Sequence, residues 1–144
     1  KDVVFGYRTC KILEPIILSA TFQLTPDRPN NVRDEIKDIF AWKKKRQPLA
    51  ETSAGCAFKN YCDEDGQYIS AGLLIDETGL KGLAVGGAKV SEQHANFITT
   101  NPACTAKDVL KLMVEVQKRV FDVTGITLER EVVVWSKDAE MNDV

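Results

Sequence analysis

The stretch SAGCAFKN, Ser53 to Asn60, holds the most chemistry per residue in the chain. Gly55 permits a tight backbone approach or a positive φ just before Cys56. A thiol ionises near pH 8.5, so Cys56 would give up a proton far more readily than a serine hydroxyl would. Lys59 and Asn60 bring N–H donors suited to phosphate or sugar oxygens. On these eight residues alone, a small cysteine packed beside a turn is the simpler explanation. Arg8, in FGYR, is a fixed cation able to hold a carboxylate through two parallel hydrogen bonds, although a single arginine is usually just a surface residue. In LERE, strand alternation puts Glu129 and Glu131 on one face, where either could serve as an acid and where a solvated edge is the default.

Other stretches are less specific. GLKGLAVGGAKVS is dense in glycine, but it matches neither G-x-G-x-x-G nor G-x-x-x-x-G-K. Its N–H groups could approach an anion, and turn punctuation explains it almost as well. His94 has no second histidine and no carboxylate at ligand spacing, so it reads as a hydrogen-bonded structural residue and not a metal ligand. Trp42 and Trp135 read as packing residues.

The four cysteines, at 10, 56, 62 and 104, are irregularly spaced and lack the Cys-x2-Cys pairs of a zinc site. Free thiols in a reducing cytosol rank ahead of a disulfide, and a metal site ranks last. The 144 residues suffice for one domain with a core. Hydrophobic residues at 44% and charged residues at 28% are ordinary for a globular protein. A net charge of -2 gives no broad attraction to nucleic acid or membrane. No signal-peptide pattern opens the chain, and no apolar run approaches a bilayer-spanning length.

The elements that must position these residues read as follows. Residues 12–24, rich in β-branched and aromatic types, predict one or two strands, with Pro15 at an edge or bulge. Val32, Ile36, Ile39 and Phe40 share a helical face, predicting a helix to about Lys45 that ends before Pro48, with KKKR (43–46) as its solvated last turn. Residues 50–68 read as loop, and Ala71, Leu74 and Ile75 as a short helix stopped by Gly79. HANFITT (94–100) predicts a strand. Thr105 with Asp108 suggests a capping box opening a helix over 106–123, stopped by Gly125, and 126–135 predicts a closing strand. The whole is an α+β domain: a mixed or antiparallel sheet with two longer helices and one short one.

In order along the chain, FGYR, QPL, SAGCAFKN, AGLLIDETGLKG, VGGAKVSEQHANFI, TAKDVLKLM and GITLEREV resemble the UDP-N-acetylenolpyruvoylglucosamine reductases, flavoenzymes of peptidoglycan precursor synthesis. The resemblance runs from Phe5 to about Val134 and covers only the later part of the family's protein. It implies a C-terminal piece: 1–24 the end of an FAD-binding module, 25–125 the substrate-binding domain, and 126–144 a strand returning toward that module. It also implies a cytoplasmic enzyme in which NADPH reduces FAD and the flavin reduces UDP-N-acetylglucosamine enolpyruvate to UDP-N-acetylmuramate. This piece alone would not turn over, because the missing N-terminal module carries most of the FAD site.

By the same matching, Arg8 is the cation, Glu131 the acid partner ahead of Glu129, and Cys56 the proton donor, where the family usually has serine. Tyr7, Lys59, Asn60, Gly86, Gly87, His94 and Asn96 are implied as lining the sugar and diphosphate. Two departures, the missing Asp-Ser after the arginine and Tyr61 in place of a proline, are expected to alter loop shape and not reaction class. The competing class is a stand-alone nucleotide-sugar binding module without redox activity.

Overall fold

The computed structural model describes residues 3–6, 9–12 and 16–135. The chain divides into two units, Lys1–Glu35 and Ile36–Val144. In the first, β1 (Phe5–Gly6) pairs antiparallel with β2 (Thr9–Cys10), Phe5 facing Cys10 and Gly6 facing Thr9. Residues 16–24, expected as strand, form none. Their β-formers are exposed, with Ile16 at 73%, Leu18 at 93% and Phe22 at 78%. High β-propensity expresses a fit to a half-buried pleated surface, and among the described residues, 16–24 pair with no strand.

Helix α1 (Pro29–Arg46) contains the boundary between the units. It begins three residues before Val32, because Pro29 suits a first helical position. Asp27 steadies that start, its Oδ1 accepting from the Arg28 backbone N–H and the Asn31 amide. The helix has the expected apolar face, but none of its residues is buried. Trp42 is accordingly not a core residue: it is half exposed, with the Arg46 guanidinium 4.6 Å above its ring.

The second unit centres on a four-stranded antiparallel sheet in the order β3 (Thr52–Cys56), β8 (Phe97–Thr100), β7 (Ala88–Val90), β6 (Ala84–Val85). A two-stranded ribbon, β4 (Tyr61–Cys62) with β5 (Tyr68–Ile69), follows β3. Strands therefore occupy part of 50–68, which the sequence reads as loop. Asp63 closes the ribbon, accepting N–H bonds from Asp65 and Gln67.

The short helix forms as expected: α2 (Ala71–Glu77) is capped by the Ser70 hydroxyl and followed by Gly79 at φ +73°. The last helix, α3 (Ala106–Thr124), opens on the Thr105–Asp108 capping box and stops at Gly125 in the left-handed region, φ +72°. It packs on β6, β7 and α2. Leu112, Met113, Val116 and Val120 meet Ala88, Val90 and Ile98 of the sheet and Ala71, Leu74 and Ile75 of α2, with Phe58 and Leu128 in the same core. Each of the larger side chains among them contributes about 1.5–3 kcal/mol by leaving water. Three helices and an antiparallel sheet make the expected α+β fold.

Residues 126–135 do not form the expected closing strand. They make one antiparallel bridge, Arg130 with Phe58. Leu128 anchors the segment in the core, whereas Val133 and Trp135 are 76% and 94% exposed, so Trp135 is not a packing residue. No helix among the described residues is long and apolar enough to cross a membrane.

Candidate functional site

Cys56 is the last residue of β3. Gly55 before it sits at φ +85°, and the register with β8 shifts between Ser53 and Cys56, which faces Phe97. The glycine thus forms a bulge that ends regular pairing at the thiol. Cys56 is half-buried. Beyond it, the ladder is continued by other means. Ala57 donates its N–H to the Asn96 carbonyl at 2.8 Å. Phe58 donates its N–H to Asn96 Oδ1 at 2.9 Å and accepts at its carbonyl from Asn96 Nδ2 at 2.8 Å. The Phe58 ring is buried below.

The segment after α3 completes the other side. Glu131 donates its backbone N–H to the Ala57 carbonyl at 2.9 Å, and Lys59 donates its own to the Glu129 carbonyl at 2.8 Å. Cys56 and Glu131 are thereby brought to neighbouring segments around Ala57. Glu131 is half-buried, and its Oε2 is shielded from solvent. Glu129 is exposed and ion-paired with the Lys59 ammonium. The two glutamates read as equivalent in sequence therefore occupy different environments.

Asn60 accepts the Ala71 N–H at its Oδ1, 3.2 Å away, and so ties the Cys56 segment to the start of α2. His94 lines a cavity of about 250 Å³ with Ser70, Asp76, Lys81 and Gln93 among others. The buried Ser91 hydroxyl accepts from the N–H groups of Gln93 and His94 and holds that turn. Burial pushes the imidazole below its ordinary value, and Nδ1 accepts the Asn96 N–H. The neutral ring therefore carries its proton on Nε2. Its ring meets Phe97 edge-on, centroids 4.7 Å apart.

Gly86 and Gly87 line a separate cavity of about 330 Å³ with Lys89, Thr99 and Asn101, and it shares no lining residue with the His94 cavity. The anion at this turn is the chain's own: Gly87 donates its N–H to Asp108 Oδ2 at 3.4 Å. The backbone N–H and hydroxyl of Thr105 hold Asp108 below the usual carboxylate range. A Cβ on Gly86 would fall 2.5 Å from the Asp108 carboxyl carbon, and one on Gly87 would fall 2.5 Å from the Cys104 Cα. The two glycines thus let this turn lie close against the foot of α3, where no larger side chain would fit. Tyr7 and Arg8 lie outside the described residues. Among the described residues, no cluster of His, Cys, Asp and Glu could hold a metal ion.

Residues 47–135 match the model of the UDP-N-acetylenolpyruvoylglucosamine reductase C-terminal domain. The chain belongs to the UDP-N-acetylenolpyruvoylglucosamine reductase family. Among relatives of that name, those of Desulfosudis oleivorans and Chlamydia muridarum are 41% and 39% identical over 93% and 92% of this chain, and over 44% and 43% of their own lengths. That of Moorella thermoacetica is 38% identical over 95% of the chain and 44% of its own length. The crystal structure of the Thermus caldophilus reductase superposes with a TM-score of 0.59 at 41% identity, covering 77% of this chain and 37% of that one. The chain thus spans about two fifths of the length of the curated relatives it matches.

Within this reductase family frame, sequence reasoning missed the Asn96 amide's grip on Phe58. No local signal reveals it, because the partners lie 38 residues apart. Asp76 and Lys81, which line the His94 cavity, lie within AGLLIDETGLKG, and nothing in that stretch alone marks them as site residues.

Proposed function

We propose that this chain is the C-terminal, substrate-side part of a cytoplasmic NADPH- and FAD-dependent UDP-N-acetylmuramate dehydrogenase, which makes UDP-N-acetylmuramate for peptidoglycan. The observation that carries the proposal is the joining of the Cys56 strand to the Glu131 segment through the Glu131–Ala57 hydrogen bond, in a chain of this family. Residues 1–24 are the end of the FAD-binding module, 25–125 the substrate-binding domain, and 126–144 a return toward that module. The exposed apolar side chains at 16–24, at Val133 and at Trp135 support that division. The remainder of the FAD site belongs to the N-terminal module.

FAD, held mainly by the N-terminal module, would supply the hydride that the terminal carbon of the enolpyruvyl group receives. Negative charge then builds on the adjoining carboxylate as an enolate, and a proton must reach the α carbon. Arg8 supplies a fixed cation for that charge. Cys56 gives up the proton as a general acid. Glu131, half-buried, is the acid partner that complements the developing enolate. Lys59, Asn60, Tyr7, Gly86, Gly87 and His94 are the candidates for the sugar and diphosphate, with the neutral His94 Nε2–H as a donor that adds no charge, whereas the buried Asn96 amide is taken up by Phe58.

The test uses the full-length protein. Its FAD absorbance should bleach with NADPH and return on adding UDP-N-acetylglucosamine enolpyruvate, with solvent deuterium appearing at the product's α carbon. A colourless protein that binds the UDP-sugar without reducing it would refute the reductase reading and leave a nucleotide-sugar binding module.

A further inference from the structure

We infer that Asn96 is a positioning residue for Cys56, acting through the backbone of Ala57 and Phe58; this rests on the reaction proposed above. The β3–β8 register ends at Cys56 and Phe97, so Ala57 and Phe58 leave the ladder one step after the thiol. Asn96 takes up their polar groups. Its main-chain carbonyl accepts from Ala57, its Oδ1 accepts from the Phe58 N–H, and its Nδ2 donates to the Phe58 carbonyl. The residue is 3% exposed, with both ends of its amide engaged by protein. Substrate contact would require breaking bonds that nothing else here replaces.

The chemistry selects an amide on a short arm. A carboxylate accepts but cannot donate, leucine does neither, and glutamine adds a methylene in a filled site. The bracket also faces the other half of the proposed site, because the same Ala57 accepts the Glu131 N–H at its carbonyl. Ala57 is therefore held by Asn96 on one side and by Glu131 on the other, and Cys56 is bonded directly to it. The segment carrying the proton donor is thus held at Ala57 by the Asn96 main chain and at Phe58 by its buried amide, which need not touch the substrate.

The test compares Asn96→Asp with Val116→Ala in the full-length protein. Val116 is buried on α3 and supplies a core-destabilised control without a proposed role in the reaction. The shape of Asn96→Asp is nearly unchanged, but a carboxylate oxygen then faces the Phe58 carbonyl. At a temperature where both variants are folded, Asn96→Asp should lower kcat on the order of tenfold to a hundredfold with little change in substrate KM, while Val116→Ala keeps kcat. Native-state alkylation of Cys56, followed by peptide mass spectrometry, should quicken several-fold in Asn96→Asp while Cys104 reacts at its wild-type rate.

If Asn96→Asp does not accumulate folded, Asn96→Ser, whose hydroxyl cannot reach both Phe58 atoms, carries the same comparison. Wild-type alkylation of Cys56 with kcat matching Val116→Ala would overturn the inference, and so would a loss confined to KM, which would make Asn96 a substrate contact. A wild-type protein that reduces no enolpyruvyl substrate would instead sink the reductase reading, and the Cys56-to-Cys104 alkylation ratio would then decide the role of Asn96 alone.

Discussion

Replacing Gly87 with alanine separates packing from ligand binding at the glycine pair. Gly86 and Gly87 form the two-residue turn between β6 and β7, with Gly86 alone of the two in the positive-φ region at +56°. The added methyl at 87 would lie 2.5 Å from the Cys104 Cα and 2.7 Å from Asn101 Oδ1. The first neighbour is backbone at the foot of α3, so relief requires moving the turn or the helix start. Overpacking of this kind costs about 1–3 kcal/mol. The entropy gained by removing a glycine from the unfolded chain returns roughly 0.4–1 kcal/mol of that. A net loss of about 1–2 kcal/mol remains, which at roughly 2–4 °C per kcal/mol for a chain of this size lowers Tm by about 2–8 °C. Thermal unfolding followed by circular dichroism reads the shift directly. An unchanged Tm together with weakened binding of the UDP-sugar would refute the packing argument and assign the glycine to the ligand.

Four further outcomes are expected. Cys56→Ser should keep substantial activity in the full-length enzyme, whereas Cys56→Ala should still let substrate oxidise the reduced flavin but slow α-carbon protonation on the order of a hundredfold; deuterium incorporation at the wild-type rate in the alanine variant would remove Cys56 from proton delivery. Arg8→Lys should be severe, because an ammonium does not reproduce a bidentate grip on a carboxylate, and near-normal kcat would exclude it. Glu131→Gln should depress kcat while Glu129→Gln, which breaks only an exposed ion pair with Lys59, should leave it close to wild type in steady-state assays. Burial lowers the His94 pKa in the folded state, so its contribution to stability is present above the ordinary value of 6.5 and is lost as pH falls below it; His94→Gln should flatten that part of a Tm-against-pH curve, and an unflattened curve would contradict the burial argument.

The parts of the fold that were legible in the sequence are those whose signals are local. Thr105, Asp108 and Gly125 bracket α3, and Leu112, Val116 and Val120 recur at its buried face, so start, stop and orientation are all written within one stretch. Gly79 and the apolar trio of α2 do the same over a shorter span. Strand β3 was illegible for the opposite reason. TSAGC has little β-propensity, and it becomes a strand because β8 supplies the ladder, with the Thr100 hydroxyl donating to the Thr52 carbonyl 48 residues away. Nothing in the stretch itself announces that partner.

The same argument run in reverse explains the false strands. Residues 16–24 and 126–135 have the β-branched and aromatic composition of strands. Composition can only state that a segment would suit a pleated surface; pairing needs a second edge at the right height. At 126–135 one partner exists, Phe58, and it yields one bridge, after which Val133 and Trp135 stand exposed. That single bridge is nonetheless what separates Glu131 from Glu129. Opposite Ala57 the chain is held close and the carboxyl is half-buried; opposite Lys59 it is at the rim and finds an ammonium. Two glutamates that strand periodicity places on one face are thus distinguished by where the pairing runs out, which is a property of the partner and not of either residue.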